Sequence, residues 1–204
     1  MKVAVYTICK NELNNIPRWL EAVQEADEIV VLDTGSTDGS WELLQQSGIK
    51  CHQSIITPWR FDVARNEALQ LVSADCDICV PLDMDCFPKV GFTNIIKSAW
   101  STDLGILEFG VTYPNTTKLG RQCAHTRKNA YWVYPVYEQV RAIGNKKIIS
   151  EVLLHHDHKF KALHKSYLPL IDLAIAENPT STYCKEAKQQ ILKLINKGEE
   201  LQDV

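Results

Sequence analysis

The 204-residue sequence contains no apolar run approaching the roughly 18 residues that a membrane span requires. Its beginning, MKVAVYTICKNE, turns polar too early for a signal peptide, so the chain is expected to be cytoplasmic with no transmembrane segment. Positive charge is not in excess. With 22 Lys and Arg against 25 Asp and Glu the net charge is −3, which excludes a global field recruiting nucleic acid or anionic lipid and leaves only a local basic patch. Internal repeats and low-complexity segments are absent too. Together with 45% hydrophobic and 23% charged residues, this excludes disordered, collagen-like and coiled-coil chains. Cysteine occurs seven times, an odd number scattered through apolar stretches, and Cys76-Asp77-Ile78-Cys79 has no second CxxC to complete a zinc site. Reduced, packed thiols are expected.

What is present alternates. Val3 to Cys9 and Glu28 to Leu32 are short β-branched apolar runs, and between them Ile16, Trp19, Leu20 and Val23 recur at helical spacing. The second run ends at Asp33 and enters Thr34-Gly35-Ser36-Thr37-Asp38-Gly39-Ser40, a turn whose polar residues cap a helix from Trp41 to Gln46. A strand near Cys51 to Ile55, a helix from Phe61 to Val72 and a buried strand from Asp77 to Leu82 follow. This pattern predicts an α/β fold, a mostly parallel sheet flanked by helices, with ligands bound where loops leave the carboxyl ends of the strands. After about residue 104 the texture becomes α+β, with strands expected at Gly105 to Tyr113, Gln122 to Val133 and Ile148 to His155. From Lys159 onward, Phe160, Leu163, Tyr167, Leu170 and Ala174 mark one helix, with a kink or restart at Pro169; Cys184, Ala187, Ile191, Leu194 and Ile195 mark a second. The predicted organisation is a domain at residues 1–158, divided into a ligand-binding half (1–103) and an acceptor half (104–158), and a C-terminal helical hairpin at 159–204.

The chemistry lies in acids at strand ends. Asp83 and Asp85 are one residue apart after a hydrophobic strand, and such a pair presents oxygens to a hard divalent cation whose shell substrate phosphates complete. The alternative is a solvated loop. Asp33 holds the equivalent place on an earlier strand and can accept hydrogen bonds from a ribose or a base; otherwise it is a turn or helix cap.

Ile8-Cys9-Lys10-Asn11-Glu12, Leu32 to Ser40 (LDTGSTDGS), Ala64-Arg65-Asn66 and Leu82-Asp83-Met84-Asp85 occur in an order and spacing that resembles glycosyltransferase family 2, nucleotide-sugar-dependent enzymes of the Rossmann-like GT-A fold. The resemblance covers residues 1 to about 90 well. Further on, Val136-Tyr137-Glu138 resembles a segment where many relatives have His-Glu, and His155-His156-Asp157-His158 resembles their late His-x-Gly-Tyr. The departures are Tyr137 for His, Asp157 for Gly and His158 for Tyr. The resemblance implies that Thr7, Glu12, Asp33 and Arg65 surround the nucleoside and that Asp83 and Asp85 lie at the ribose and the metal, Mn²⁺ or Mg²⁺. Arg65 offers a fixed fork of donors to phosphate or uracil; its alternative is a surface ion pair with Asp62, one helical turn away.

Among the histidines, His155 matches the family's late His best and is expected to ligate the metal with Asp85, His156 and His158 being the other candidates. Glu138 is the expected general base of an inverting transfer. Its rival is Asp157, and its alternative role is a salt bridge to Arg141 or a nearby lysine. The implied activity is metal-dependent transfer of a sugar from a nucleotide sugar, a UDP-sugar, to an acceptor hydroxyl of a glycan, a protein or a modified nucleobase. Lys118, Arg121, Arg127, Lys128, Lys146 and Lys147 could form a basic face for the last. The competing class is a nucleotide-sugar-binding or scaffold protein of the same fold without catalysis. A sugar-phosphate nucleotidyltransferase should open with a glycine- and arginine-rich phosphate loop, where this chain has Lys10-Asn11-Glu12.

Overall fold

The computed structural model describes residues 1–114, 116–117, 119–157 and 167–196. In the first half, β1 (Val3–Cys9), α1 (Ile16–Val23), β2 (Glu28–Asp33), α2 (Ser40–Gln46), β3 (Lys50–Gln53), α3 (Phe61–Leu71) and β4 (Ile78–Pro81) alternate as expected. β1 lies between β2 and β4, parallel to both, and β3 runs parallel along the outer side of β2. Helices cover both faces of these strands, which is why β1 reads as an unbroken apolar run. Val3 and Val5 pack with Ile16, Trp19 and Val23 of α1 and Leu44 of α2, whereas Ala4 and Tyr6 pack with Ala68 and Leu69 of α3. Consecutive side chains thus serve opposite faces, as the pleat of a strand requires.

The second half departs more from expectation. β5 (Cys86–Pro88) and α4 (Phe92–Ala99) follow β4, then β6 (Leu104–Thr112) and β7 (Gly120–Thr126). The single strand expected from Gln122 to Val133 is in fact two, β7 and β8 (Ala130–Val133), in different sheets. The corner between them is made by Asn129 in a left-handed conformation (φ 58°), which Asn tolerates better than most residues. Arg127 pins it by donating Nε and Nη2 to the carbonyl of Val72 at 3.1 and 2.9 Å. β9 (Gln139–Ala142) pairs with β8 as a separate ribbon, and β10 (Asn145–His156) returns to the main sheet.

The described residues form an eight-stranded sheet of order β3-β2-β1-β4-β7-β6-β10-β5. β7 is antiparallel to β4 and β6, and β10 is parallel to β6, so the carboxyl ends of β1, β2, β4 and β10 share one edge. β4 and β5 are almost consecutive in the chain yet have three strands between them in the sheet. Four strand spacings of about 4.8 Å exceed the reach of the intervening turn, so the sheet curls and brings β5 back beneath the end of β4.

α5 (Leu168–Glu177) and α6 (Thr182–Asn196) form the expected hairpin, and α5 starts with Pro169 in its first turn. The expected helical positions Phe160 and Leu163 lie outside the described residues. Ile171 and Ile191 of the hairpin pack on Val136, and Ala174 and Cys184 on Tyr134. All seven cysteines are free. No helix among the described residues is long and apolar enough to cross a membrane.

Candidate active site

Two loops at the shared edge are stitched to each other. Gly35 and Gly39 have φ of 99° and 97°, a left-handed backbone that explains both glycines of the DTGSTDGS string. Asn11 accepts from the amide of Thr37 at 2.8 Å and donates its own amide to Ser36 Oγ, while Glu12 donates its amide to Ser40 Oγ at 2.8 Å. The spacing between the KNE and DTGSTDGS segments is therefore that of two loops sharing hydrogen bonds. Asp33 belongs to the same construction. Its Oδ1 accepts from the amides of Gly35 and Ser36 at 3.0 Å and from Gln53 Nε2 at 2.9 Å, and its Oδ2 from the Ser36 hydroxyl. Asp33 has no exposed surface and acts here as the turn cap that the sequence allowed. Thr7 is likewise fully buried, its hydroxyl donating to the carbonyl of Ile8 at 3.1 Å.

A cleft of about 1100 Å³ opens beside these loops, lined by Lys10, Asn11, Glu12 and Thr34 from the loops after β1 and β2 and also by Arg65, Asp83, Asp85 and Glu138. Thr7 and Asp33 are not among the residues that line it. Arg65 is the hub. Its Nη2 donates to Asp83 Oδ1 at 2.5 Å and its Nε to Glu138 Oε1 at 3.0 Å, with only 8% of its side chain exposed. Burial alone would depress its pKa, but the charges of Asp83 and Glu138, with their hydrogen bonds, outweigh it and raise the value. Two sequence alternatives are corrected here. Asp62 pairs with Arg60 instead of Arg65, and the salt-bridge partner of Glu138 is Arg65 instead of Arg141 or a lysine. A helical neighbour lost to one already tied elsewhere: Arg60 forks across Asp62 and Glu177.

Asn66, absent from the sequence-based site, explains the rest of the Ala64-Arg65-Asn66 string. Its Nδ2 donates to the carbonyl of Trp132 at 2.9 Å and its Oδ1 accepts from the Trp132 amide at 2.8 Å. α3 thereby holds β8, and the β8–β9 connection carries Glu138. Beneath lies a buried relay. Trp132 Nε1 donates to Tyr6 Oη at 2.7 Å, and the Tyr6 hydroxyl meets His125 Nε2 at 2.7 Å. His125 Nδ1 lies 2.8 Å from the carbonyl of Thr126, which can only accept, so Nδ1 carries the ring proton and Nε2 accepts a hydrogen bond from the Tyr6 hydroxyl. Burial lowers the pKa of His125 to about 4 and keeps it neutral.

At the other side of Asp83, β5 pairs antiparallel with β10, setting His156 opposite Cys86 and His155 opposite Phe87. Ligand atoms of Asp83, Asp85, Cys86 and His156 all lie within 4.8 Å of one another, and His156 Nε2 is 3.6 Å from Asp85 Oδ1. This corrects the expectation for His155. Adjacent strand residues face opposite ways, and His155 turns to Thr112 Oγ1 at 3.1 Å and Asp157 at 3.1 Å. Asp157, the rival base, also pairs with Arg18 and does not line the cleft. His158 lies outside the described residues, as does Lys118 of the expected basic face; the other members of that face line no part of the cleft. Aromatic residues complete the wall, Trp59, Phe61, Tyr137 and Tyr167; the spacing Trp59-Arg60-Phe61 at the start of α3 is a signal that could have found the first two.

This architecture is shared by solved structures. S. aureus TarS (residues 1–349) is 14% identical with a TM-score of 0.64, over 94% of this chain and 69% of that one. Glucosyl-3-phosphoglycerate synthase from Mycobacterium tuberculosis, solved with Mn²⁺ and UDP-glucose, is 16% identical with a TM-score of 0.57, over 78% of this chain and 72% of that one. The likeness establishes the GT-A fold. The sequence profile of glycosyl transferase family 2 matches residues 4–150, and the chain belongs to that family. A TPR repeat-containing protein of Synechococcus elongatus is 32% identical over 103 residues, which make up 49% of this chain and 23% of that relative, so the chain spans about a quarter of the relative's length.

Proposed function

We propose that this chain transfers a sugar from a UDP-sugar to an acceptor hydroxyl, with a divalent cation and with inversion at the anomeric carbon. The observation that carries the reading is that Asp83 and Asp85 line one cleft together with Arg65 and Glu138, with His156 set beside the two aspartates. Family membership and neighbours solved with UDP-GlcNAc and with Mn²⁺ and UDP-glucose support it.

Two carboxylates and an imidazole in reach of one another are a donor set for Mn²⁺ or Mg²⁺, so Asp83, Asp85 and His156 would hold the cation. When bound there it neutralises the charge that builds on the leaving diphosphate. Lys10, Asn11, Glu12 and Thr34 wall the donor side. Arg65 fixes both Asp83 and Glu138, so that the two sides of the reaction centre share one buried cation as a spacer. Glu138 takes the proton of the acceptor hydroxyl as its oxygen attacks the anomeric carbon opposite the breaking bond to the diphosphate. Direct displacement of this kind converts an α-linked donor into a β-linked product.

Calorimetry of UDP binding tests the reading at its base. UDP is expected to bind only with a divalent cation, Mn²⁺ serving at least as well as Mg²⁺ because the site includes an imidazole. Equal affinity in EDTA would return Asp83 and Asp85 to the status of a solvated loop. Hydrolysis of a panel of UDP-sugars then identifies the donor.

A further inference from the structure

We propose that the aromatic wall of the cleft is the acceptor subsite and that it takes an uncharged carbohydrate. The proposal rests on the transfer reading above and names the class of its acceptor. Four rings from three separate segments meet along this wall. Trp59 and Phe61 lie 5.1 Å apart at 78°, Phe61 and Tyr167 5.7 Å apart at 83°, and Tyr137 and Tyr167 6.1 Å apart at 87°. The loop before α3, the connection carrying Glu138 and the start of α5 are thus joined by edge-to-face contacts, an arrangement that fixes ring orientation. Each of these side chains remains partly exposed and each lines the cleft. Tyr137 directly precedes Glu138, so a molecule resting on the wall has its hydroxyls beside the carboxylate.

The chemistry of the wall selects among acceptors. Among the described residues, the cations lining the cleft are Lys10 and Arg65, and Arg65 is already shared between Asp83 and Glu138. A phosphorylated or acidic acceptor would meet no counter-charge among the described residues of the wall itself. A planar base is held best between ring faces or stacked on an open one, but successive rings here stand nearly perpendicular. The stacked pair among the described residues, Tyr134 with Tyr183 at 30°, lies outside the cleft lining. A pyranose fits: its C–H face lies on one ring at a time, burying apolar surface, while its hydroxyls point away toward Glu138 and water. α5 then has a task, since Tyr167, Pro169 and Leu170 close this part of the cleft.

Saturation-transfer NMR on the full chain reads this directly. The probes are the methyl glycosides of glucose, galactose, mannose and N-acetylglucosamine, each with and without UDP and Mg²⁺; glucose 6-phosphate, adenosine and a short Ser/Thr peptide are the comparators. Saturation of aromatic protein protons is expected to reach the ring C–H protons of at least one methyl glycoside. It should fall several-fold in both Trp59→Ala and Tyr167→Leu, two variants that bracket the wall and guard against a folding defect in either, while UDP affinity stays within about twofold. Three results would overturn the proposal: no transfer to any glycoside, equal transfer in both variants, or a comparator that depends on the same rings more strongly than every glycoside. A wild-type protein that fails to bind UDP would sink the transfer reading separately, because the glycoside signal reports on the rings without the nucleotide.

Discussion

The two sides of the cleft are held in place by different kinds of contact. On the side of residues 10–12 and 33–40, two neighbouring loops 25 to 28 residues apart exchange several polar bonds, such as Asn11 with Thr37, Asp33 caps its own turn at Ser36, and the glycines supply the backbone they need. On the side of Arg65 and Glu138 the partners are 73 residues apart, and the supports beneath them, Asn66 with Trp132 and Tyr6 with His125, span 66 and 119 residues. A side stitched by several bonds tolerates the loss of one, because the others still join the same two loops. A side held by long-range contacts gives up position as well as energy when one contact goes.

The largest effect is expected at the seam between the two sides. Asp85→Asn should remove detectable transfer, about 10³-fold or more, since it strips charge from the proposed cation site. Its melting temperature should hold, because the backbone carbonyl of Asp85 still accepts from Asp157. Wild-type turnover on an identified donor would refute the site.

Glu138→Gln comes next. A general base contributes about 10² to 10⁴-fold, so kcat should fall by that order with the donor KM nearly unchanged. Stability should fall too, because Arg65 is left buried with one counter-charge fewer. A lowered melting temperature with kcat intact would leave only the structural role, and an α-linked product from an α-linked donor would remove the need for a base.

The pH dependence of folding probes the relay under the long-range side. His125 has a folded pKa near 4 against an ordinary 6.5, so the unfolded chain binds its proton first as pH falls. Stability is fully present above 6.5 and is lost as pH drops from 6.5 toward 4, by roughly 3 kcal/mol from this group. Urea denaturation across that range should show the slope, and His125→Gln should flatten it. An unchanged slope in the variant would assign the titration elsewhere.

The smallest expected effects make the sharpest contrast. Asn66→Ala breaks two bonds to the backbone of Trp132 and should cost about 1–3 kcal/mol. Asn11→Gly keeps the left-handed backbone and removes the bond to Thr37, which should cost below about 1 kcal/mol. Thermal melts of the pair measure both. Equal losses would erase the distinction between the two sides.

Legibility followed the same division. The strand and helix periods from β1 to β4 were readable because each apolar residue in β1 or α1 serves a face set by its own element. Asp83 and Asp85 were readable for a related reason, a hydrophobic strand that stops at acids. β5 was not, since three residues carry no period, and α4 passed unnoticed with it. β5 is nonetheless what exchanges His155 for His156 beside Asp85, by setting the register of β10. Thr7 and Asp33 carried the right residue types, but their side chains are spent within the fold.

By itself the sequence determined the alternation of strands and helices, the family, the DTGSTDGS turn and the acids at the end of β4, because each depends on residues within a few positions of one another. Only the tertiary structure decided which histidine faces the aspartates, which cation Glu138 pairs with, and that α5 walls the cleft. Those outcomes depend on how the sheet curls and on a strand register in which a shift of one residue turns every side chain to the opposite face.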